Sequence, residues 1–321
     1  MEMKAKGYAL LSGGLDSQLA VKVLQRAGAE VRGVCFATPF FSPAAAVKAA
    51  KALGIPLEVV DFTDDEIRLI ENPPHGFGGA MNPCIDCHAA MIRRAGEMMS
   101  AAGFDFVSTG EVAGQRPMSQ NRQALGIVEK SSGLKGRLVR PLSAKLLEPT
   151  IPETEGKLDR EMLLDIQGRS RERQISLAAE FGIVEYPSPA GGCKLTEKGY
   201  GRRLKDLRDH EGLGNRRLVE LLSVARRFRF PDGTGVILGR DMGENAVLKE
   251  CGSLGTVLAP ENCPGPTALV PGNAPEDALS QVRGLVAAYS RSDRLGEDVI
   301  VGGVPVPGPY DREKFKAYQI C

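Results

Sequence analysis

The sequence predicts an α/β protein with a doubly wound parallel sheet, followed by a smaller C-terminal α+β domain. Three observations carry this. Short apolar runs alternate with helical stretches through the first half, the pattern of βαβ units covered on both faces. A Gly-rich turn joins the first run to the first helix. After Leu146 the alternation stops and Pro/Gly loops and a basic stretch take over. At 321 residues two domains are expected rather than one core.

The elements follow in order. Tyr8 to Leu11 is an apolar run broken by Gly13-Gly14, and Leu19, Ala20, Val23 and Leu24 recur at helical spacing up to Gly28. Val31–Phe36 reads as a buried strand, Pro43–Leu53 as an Ala-rich helix and Leu57–Val60 as a strand. From Thr63 to Pro83 a long functional loop is expected, carrying Asn72-Pro73-Pro74, Gly76, Gly78 and Gly79. Ala89–Ala102 reads as a helix and Phe104–Ser108 as a strand ending at Thr109-Gly110. Glu148–Pro152 is a linker, with helices expected over Arg160–Gln167 and Arg171–Phe181. From Phe228 onward a turn at Phe230–Gly235, strands at Val236–Leu238, Val257-Leu258 and Leu269-Val270, and a helix at Gln281–Tyr289 build a small domain. The expected division is 1–182, a basic linker segment 183–227 carrying Cys193, and 228–321.

Composition excludes several classes. Hydrophobic residues make up 42% and charged residues 25%, ordinary for a soluble globular chain. A net charge of +1 excludes a uniformly basic nucleic-acid coat protein, though not a local basic patch. No apolar run approaches the ~20 residues of a membrane span. Met1–Gly7 has no signal-peptide core, so a cytoplasmic protein is expected. Seven cysteines do not make the even-numbered framework of a small secreted domain, which turns any cysteine cluster toward metal binding or catalysis.

The sharpest motif is Ser12-Gly13-Gly14-Leu15-Asp16-Ser17, between a strand and a helix. Its glycines let backbone N–H groups approach a phosphate, its serines add hydroxyl donors, and the helix start adds partial positive charge. Asp16 would repel phosphate unless a Mg²⁺ is shared with the nucleotide. No Gly-Lys-Ser/Thr follows, so this is not the nucleotide-triphosphatase P-loop. The plain alternative is a Gly-rich turn with Asp16 or Ser17 as helix cap. The end of the second strand, Phe36-Ala37, is expected to lie against a bound ligand, as at the carboxyl edge of any doubly wound sheet.

This stretch resembles the PP-loop of ATP pyrophosphatases, enzymes of the adenine nucleotide alpha hydrolase-like fold that adenylate a carbonyl oxygen and release pyrophosphate. Ser108-Thr109-Gly110-Glu111-Val112-Ala113-Gly114-Gln115, with Ser119-Gln120, resembles the segment after the fourth strand of ThiI-type 4-thiouridine synthetases. Asn82-Pro83-Cys84-Ile85-Asp86-Cys87-His88 resembles the cysteine segment of MnmA-type 2-thiouridylases. The resemblance implies ATP and Mg²⁺ as cofactors. It implies Ser12, Gly13, Gly14, Leu15, Asp16, Ser17, Phe36, Ala37, Thr109, Gly110 and Gln115 as the nucleotide-binding set, with Asp16 also catalytic.

Cys84 and Cys87 form a Cys-x-x-Cys at a helix start, and Cys193 ends the Gly-rich loop Pro189-Ala190-Gly191-Gly192. Three readings stay open: half a zinc site without its second pair, a redox dithiol with thiolate pKa lowered by the helix start, or three ligands of an iron–sulfur cluster with one iron open. The thiolase resemblance implies sulfur transfer through Cys84, Cys87 and Cys193, with a [4Fe–4S] cluster or persulfide chemistry. Cys35 reads as a core residue, and no role falls to His75, His88 or His210.

Lys194–Arg229 holds 11 basic and 5 acidic residues, and its Arg202-Arg203, Arg216-Arg217 and Arg226-Arg227 pairs could contact RNA phosphates. The plain alternative is a solvated helix face with internal ion pairs. Arg229–Asn245, with Ala287–Ser290 and Gly302–Pro307, resembles the NFACT RNA-binding domain. A dimerisation or lid domain is the plain reading of the tail, and a homodimer is allowed. Together these expectations describe an ATP-dependent tRNA uridine sulfurtransferase, with tRNA and sulfide or a separate sulfur donor as partners. A small-molecule amidotransferase or ligase, or a non-catalytic RNA-binding protein, are the alternatives.

Overall fold

The computed structural model describes residues 4–117, 119–188, 192–291 and 297–321. The chain divides into two compact units, 1–194 and 195–321, so the basic segment after Lys194 folds with the second.

The first unit contains β1 (Lys6–Leu10), α1 (Leu15–Arg26), β2 (Glu30–Ala37), α2 (Ala44–Leu53), β3 (Leu57–Asp61) and α3 (Thr63–Glu71). It continues with α4 (Cys84–Ala102), β4 (Phe106–Ser108), α5 (Arg122–Ser132), β5 (Leu138–Val139), α6 (Ile151–Thr154) and α7 (Glu172–Glu180). Its five strands lie in the order β3-β2-β1-β4-β5, every pairing parallel. One face is covered by α1, α2 and α7, through Leu19, Val23, Leu24, Ala46, Leu53 and Ala178. The other is covered by α4 and α5, through Ile92, Ala95, Met99 and Val128. This is the expected doubly wound sheet. The chain winds outward from β1 to β3, then returns to β4 on the other flank of β1. The β1/β4 junction is therefore the topological switch point, where ligands of such sheets bind beyond the strand ends.

The Thr63–Pro83 connection is not all loop. Its first nine residues form α3, whose Ile67 and Ile70 are buried while Asp64 and Asp65 sit in the first turn. The Asp-rich start masked the helical period, although acid at a helix N-terminus is favourable. The Arg160–Gln167 helix is also absent: a single 3₁₀ turn covers Arg160–Met162.

The second unit contains α8 (Lys198–His210), α9 (Arg216–Leu221), β6 (Arg226–Arg229), β7 (Gly235–Leu238), α10 (Met242–Lys249) and β8 (Gly255–Leu258). It ends with β9 (Ala268–Pro271), α11 (Glu276–Tyr289), β10 (Val299–Val301), β11 (Val304–Val306), α12 (Arg312–Lys316) and β12 (Gln319–Ile320). An antiparallel sheet ordered β12-β6-β7-β9-β8 packs Phe228, Val236, Leu238 and Val270 with Val282, Leu285 and Val286 of α11. The Gly239-Arg240…Asn245 signature has a structural reason. Asn245 Oδ1 accepts from Thr267 N–H at 2.9 Å, and a Cβ on Gly239 would lie 2.1 Å from that oxygen.

About half of the cations in the basic stretch are paired within the unit, and the stretch keeps a net positive charge. Arg227, 1% exposed, donates to Asp206 and Glu211, and Arg229 does the same. Arg216 and Arg217 pair with Glu220, and Lys205 and Arg208 with Asp209. The intra-unit ion-pair reading thus describes these cations, whose carboxylates sit one helical turn away or are buried against them.

Candidate active site

The loop leaving β1 meets the segment leaving β4 at the switch point. Gly13 has φ of +79°, and a Cβ there would lie 2.3 Å from the Ala45 carbonyl carbon, so both backbone and space require glycine. Ser17 Oγ donates to the Gly14 carbonyl at 2.9 Å and stands 3.2 Å from Ser12 Oγ. The Gly14 N–H donates to Ser12 Oγ at 3.3 Å. Gly14 itself caps α1 with no side-chain cap, so neither Asp16 nor Ser17 plays that part. The first amides of α1 remain available to an anion. Leu15 is buried and serves the core with its side chain.

The β4 exit is pressed against this loop. A Cβ on Gly110 would lie 2.6 Å from Asp16 C and Ser17 N, so only glycine lets the two segments touch. Gln115 Nε2 donates to Asp16 Oδ2 at 3.0 Å, while Asp16 Oδ1 is buried without a hydrogen bond. A buried carboxylate oxygen left unpaired beside a phosphate cradle fits a hard cation such as Mg²⁺, for which one or two carboxylates plus nucleotide phosphates are the usual ligands. Phe36 is buried edge-on to Phe62, ring centroids 5.2 Å apart, and the Ala37 carbonyl accepts the Phe62 N–H. At the end of β2, then, the Phe36 ring belongs to the core. A cleft of about 790 Å³ opens on the α1/α2 side, lined by Gly13, Gln18, Lys22, Lys48 and Tyr186. Of the Ser12–Ser17 loop it shares Gly13, and neither Asp16 nor Gln115 lines it.

A buried ionic network stands behind Gly110. Arg140, nearly inaccessible, donates through Nε to Glu111 Oε2 at 2.9 Å, through Nη1 to Glu129 at 3.2 Å and through Nη2 to the Leu125 carbonyl at 3.0 Å. Thr109 Oγ1 donates to the same Glu111 oxygen at 3.0 Å, and His88 Nδ1 stands 3.3 Å from the other. Burial raises the Glu111 carboxyl, but the Arg140 charge and the His88 contact outweigh it and hold it down at about 2. His75 is pinned too: its Nδ1 lies 2.6 Å from Asp86 Oδ1 and its N–H donates to Asp86 Oδ2 at 2.9 Å. That pair ties the Gly-rich loop to the first turn of α4.

The cysteines depart from expectation in one respect. Cys84 opens α4, yet burial raises its pKa, only partly opposed by a Ser119 hydrogen bond and by Arg116. Cys87 is raised well above normal by burial, then by Glu66, Cys193 and Cys84. The helix start therefore does not make these thiols acidic; desolvation and neighbouring acid win. Glu66, fully buried in α3 beside Cys87, is itself pushed up to about 7 by burial. Cys35 is a core thiol, raised to about 11 by burial. Cys193 lies near enough to act on Cys87, and next to it the Lys194 N–H donates to the Phe40 carbonyl at 3.0 Å. Pro189, Ala190 and Gly191, expected to form the open loop before Cys193, lie outside the described residues. Among the described residues no three His, Cys, Asp or Glu side chains converge to hold a metal ion. Three thiols are the donor set an iron–sulfur cluster takes, and both Cys193 and Cys84 act electrostatically on Cys87.

One segment ties all of this together. Gly110 and Gln115 touch Asp16, Glu111 reaches His88 beside Cys87, and Ser119 bonds Cys84. Comparison with known proteins agrees. Residues 6–132 match the family model of the tRNA methyl transferase HUP domain, and residues 225–303 that of the NFACT protein RNA binding domain. The chain thus carries, in order, a stretch similar to the HUP domain of tRNA methyl transferases and a stretch similar to the NFACT RNA binding domain. It is 25% identical over 223 residues to tRNA-specific 2-thiouridylase MnmA 1 of Syntrophus aciditrophicus (strain SB), covering 62% of this chain and 55% of that protein. It is 31% identical over 134 residues to tRNA-specific 2-thiouridylase MnmA of Cutibacterium acnes, covering 34% of this chain and 35% of that one. The chain spans about half or less of the length of these curated relatives. Solved structures similar to it include a 4-thiouridine synthetase–RNA complex with bound ATP, at 21% identity and TM-score 0.38, covering 60% of this chain and 42% of that one. A predicted subunit of tRNA methyltransferase from Methanocaldococcus jannaschii is similar at 16% identity and TM-score 0.39, covering 64% and 88%.

Sequence reasoning missed Glu66, Arg140 and the histidine partners. Glu111 lay in plain view within Ser108–Gln115, but Glu66 and Arg140 sit in stretches with no motif. Their signal is burial of charge, which a sequence does not display.

Proposed function

We propose that this protein is an ATP-dependent tRNA uridine sulfurtransferase. The observation that carries the reading is the 109–119 segment, which bridges the phosphate loop at Asp16 and the cysteine turn at Cys84 and Cys87. Activation and sulfur delivery need such proximity, because oxide is a poor leaving group from a uracil carbonyl carbon and AMP a good one. The amides of Gly13 to Ser17 and the Ser12 and Ser17 hydroxyls would hold the ATP phosphates. Asp16 would hold Mg²⁺, which when bound neutralises phosphate charge. Gln115 holds Asp16, Gly110 lets the β4 exit touch it, Thr109 holds the neighbouring Glu111, and the main chain at Phe36-Ala37 would border the adenine. The uracil oxygen attacks the α-phosphorus and pyrophosphate leaves. Hydrosulfide then adds to the carbonyl carbon and AMP departs. Where the sulfur arrives instead as a persulfide on one of Cys84, Cys87 and Cys193, its outer sulfur adds and AMP leaves. A second of these thiols then attacks the carrier sulfur, releasing the thiocarbonyl as a disulfide forms that an external dithiol reduces before the next turnover. Burial favours the protonated form of both α4 thiols, so a transfer that uses either as nucleophile begins with loss of its proton. No step is drawn through an iron–sulfur cluster. The target base must be unstacked to reach this site, which favours a tRNA loop or end. The NFACT-type unit would supply RNA contacts.

The test is nucleoside mass spectrometry of tRNA from cells with and without the gene, beside an assay with purified protein, ATP, Mg²⁺ and sulfide. One thionucleoside should vanish on deletion and form in vitro with one AMP and one pyrophosphate per base. An unchanged nucleoside profile, or pyrophosphate release that needs ammonia and no RNA, overturns the proposal in favour of a ligase. Iron and acid-labile sulfide in anaerobically purified protein would return the cluster to the mechanism.

A further inference from the structure

The second unit contains cations that its internal ion pairs do not absorb. Arg226, at the start of β6, has its guanidinium carbon 4.6 Å from the Tyr289 ring centroid, and Arg312 of α12 has its own 4.7 Å from the same centroid. Neither arginine pairs with a carboxylate among the described residues. Arg226 Nη2 donates to the Gly239 carbonyl at 2.8 Å, while its Nε is buried without a partner. Arg312 makes one long bond, Nε to the Ala288 carbonyl at 3.4 Å. Two guanidinium groups gathered on one ring repel each other, and a ring worth about 1–2 kcal/mol per cation offsets this only in part. Arg240 is close enough to act on Arg226 as well, although it has Glu244 as partner. Burial is the main cause that lowers the Arg226 pKa; Tyr289 and Glu244 oppose it, and Arg240 and Arg312 lower it by smaller amounts. Tyr289 and Arg226 are half-buried and Arg312 is exposed, so the cluster borders solvent.

We propose that Arg226 and Arg312, set on Tyr289, receive a phosphate of the tRNA backbone. The remaining N–H groups of two planar forks suit phosphate oxygens. Arg226 and Tyr289 fall within the matched RNA-binding stretch 225–303, and Arg312 reaches in from beyond it. The proposal rests on the reading of tRNA as substrate. It also supplies the phosphate contact that Arg216, Arg217, Arg227 and Arg229 cannot make while held by carboxylates.

The test is fluorescence anisotropy of labelled, unmodified tRNA with the full chain over a range of salt, comparing wild type, Arg312→Gln and Arg312→Lys. Arg312 is exposed, so neither change threatens the fold. Arg312→Gln should bind roughly fivefold more weakly and lower the log Kd–log salt slope by about 0.9, the value for one lost phosphate contact on a duplex. Arg312→Lys should restore the slope and only part of the affinity, since lysine keeps the charge but not the planar stacking. Turnover at saturating tRNA should match wild type in both. Wild-type Kd and slope in Arg312→Gln, or a slope in Arg312→Lys as low as in Arg312→Gln, overturns this site alone. A wild-type chain that does not bind tRNA overturns both the site and the substrate reading.

Discussion

Glu111→Gln should be the most informative single change in the first unit. Glu111 is 4% exposed and its carboxyl is held at about 2 against an ordinary 4.5. That difference corresponds to about 3 kcal/mol of stabilisation by the charged form. The same figure follows from the other direction, since breaking a buried ion pair costs roughly 3–5 kcal/mol, and Arg140 keeps Glu129 as a second partner. At pH 7 the variant should lose about 3 kcal/mol of protection in the first unit. Because the folded pKa is depressed, the wild-type contribution is complete above about 4.5 and is lost as pH falls through about 2. The gap between the proteins should therefore close between those two pH values. Hydrogen exchange by mass spectrometry on peptides from α4, α5 and β5 reads this without averaging over the second unit, which has its own core. A loss below about 0.5 kcal/mol, or one that does not change with pH, would refute the ionic account of Arg140 and Glu111.

The other predictions concern the site directly. Gly110→Ala drives a Cβ to 2.6 Å from the Asp16 backbone and should weaken ATP binding at least tenfold by calorimetry, with Gly126→Ala, where no atom lies within 4 Å, as the neutral control. Asp16→Asn should reduce pyrophosphate release about a hundredfold while the fold, followed by circular dichroism, persists; an active variant would remove Asp16 from the chemistry. Cys84→Ser and Cys193→Ser should each abolish thionucleoside formation yet leave adenylation, measured by pyrophosphate exchange, within about threefold of wild type. Asp86→Asn should loosen the 72–82 loop, seen as faster proteolytic cleavage there, because His75 loses its carboxylate partner.

How much of this was legible beforehand can be traced residue by residue. The parallel sheet could be read because β1, β2 and β4 are buried on both faces and appear as apolar runs, while β3 at the edge is only part-buried. The phosphate loop could be read because Ser12–Ser17 is local: glycine, hydroxyl and helix start are neighbours in sequence. Helix α3 could not, since its buried stripe is only Ile67 and Ile70 behind an acidic first turn. Nor could the thiol acidity. A helix N-terminus predicts a lowered pKa for Cys84, and only burial and the approach of Glu66 to Cys87 reverse it.

By itself, then, the sequence determined what depends on near neighbours: the alternation of elements, the anion-binding turn, the Cys-x-x-Cys at a helix start and the Gly-Arg…Asn signature. Tertiary structure alone decided what depends on distance and dielectric. It brought Gly110 and Gln115 onto Asp16, buried Arg140 between two acids, and paired about half of the basic stretch internally while leaving Arg226 and Arg312 on one ring. The physical reason is that a charge acts through space and through the water it has lost, and neither is written in the order of the residues.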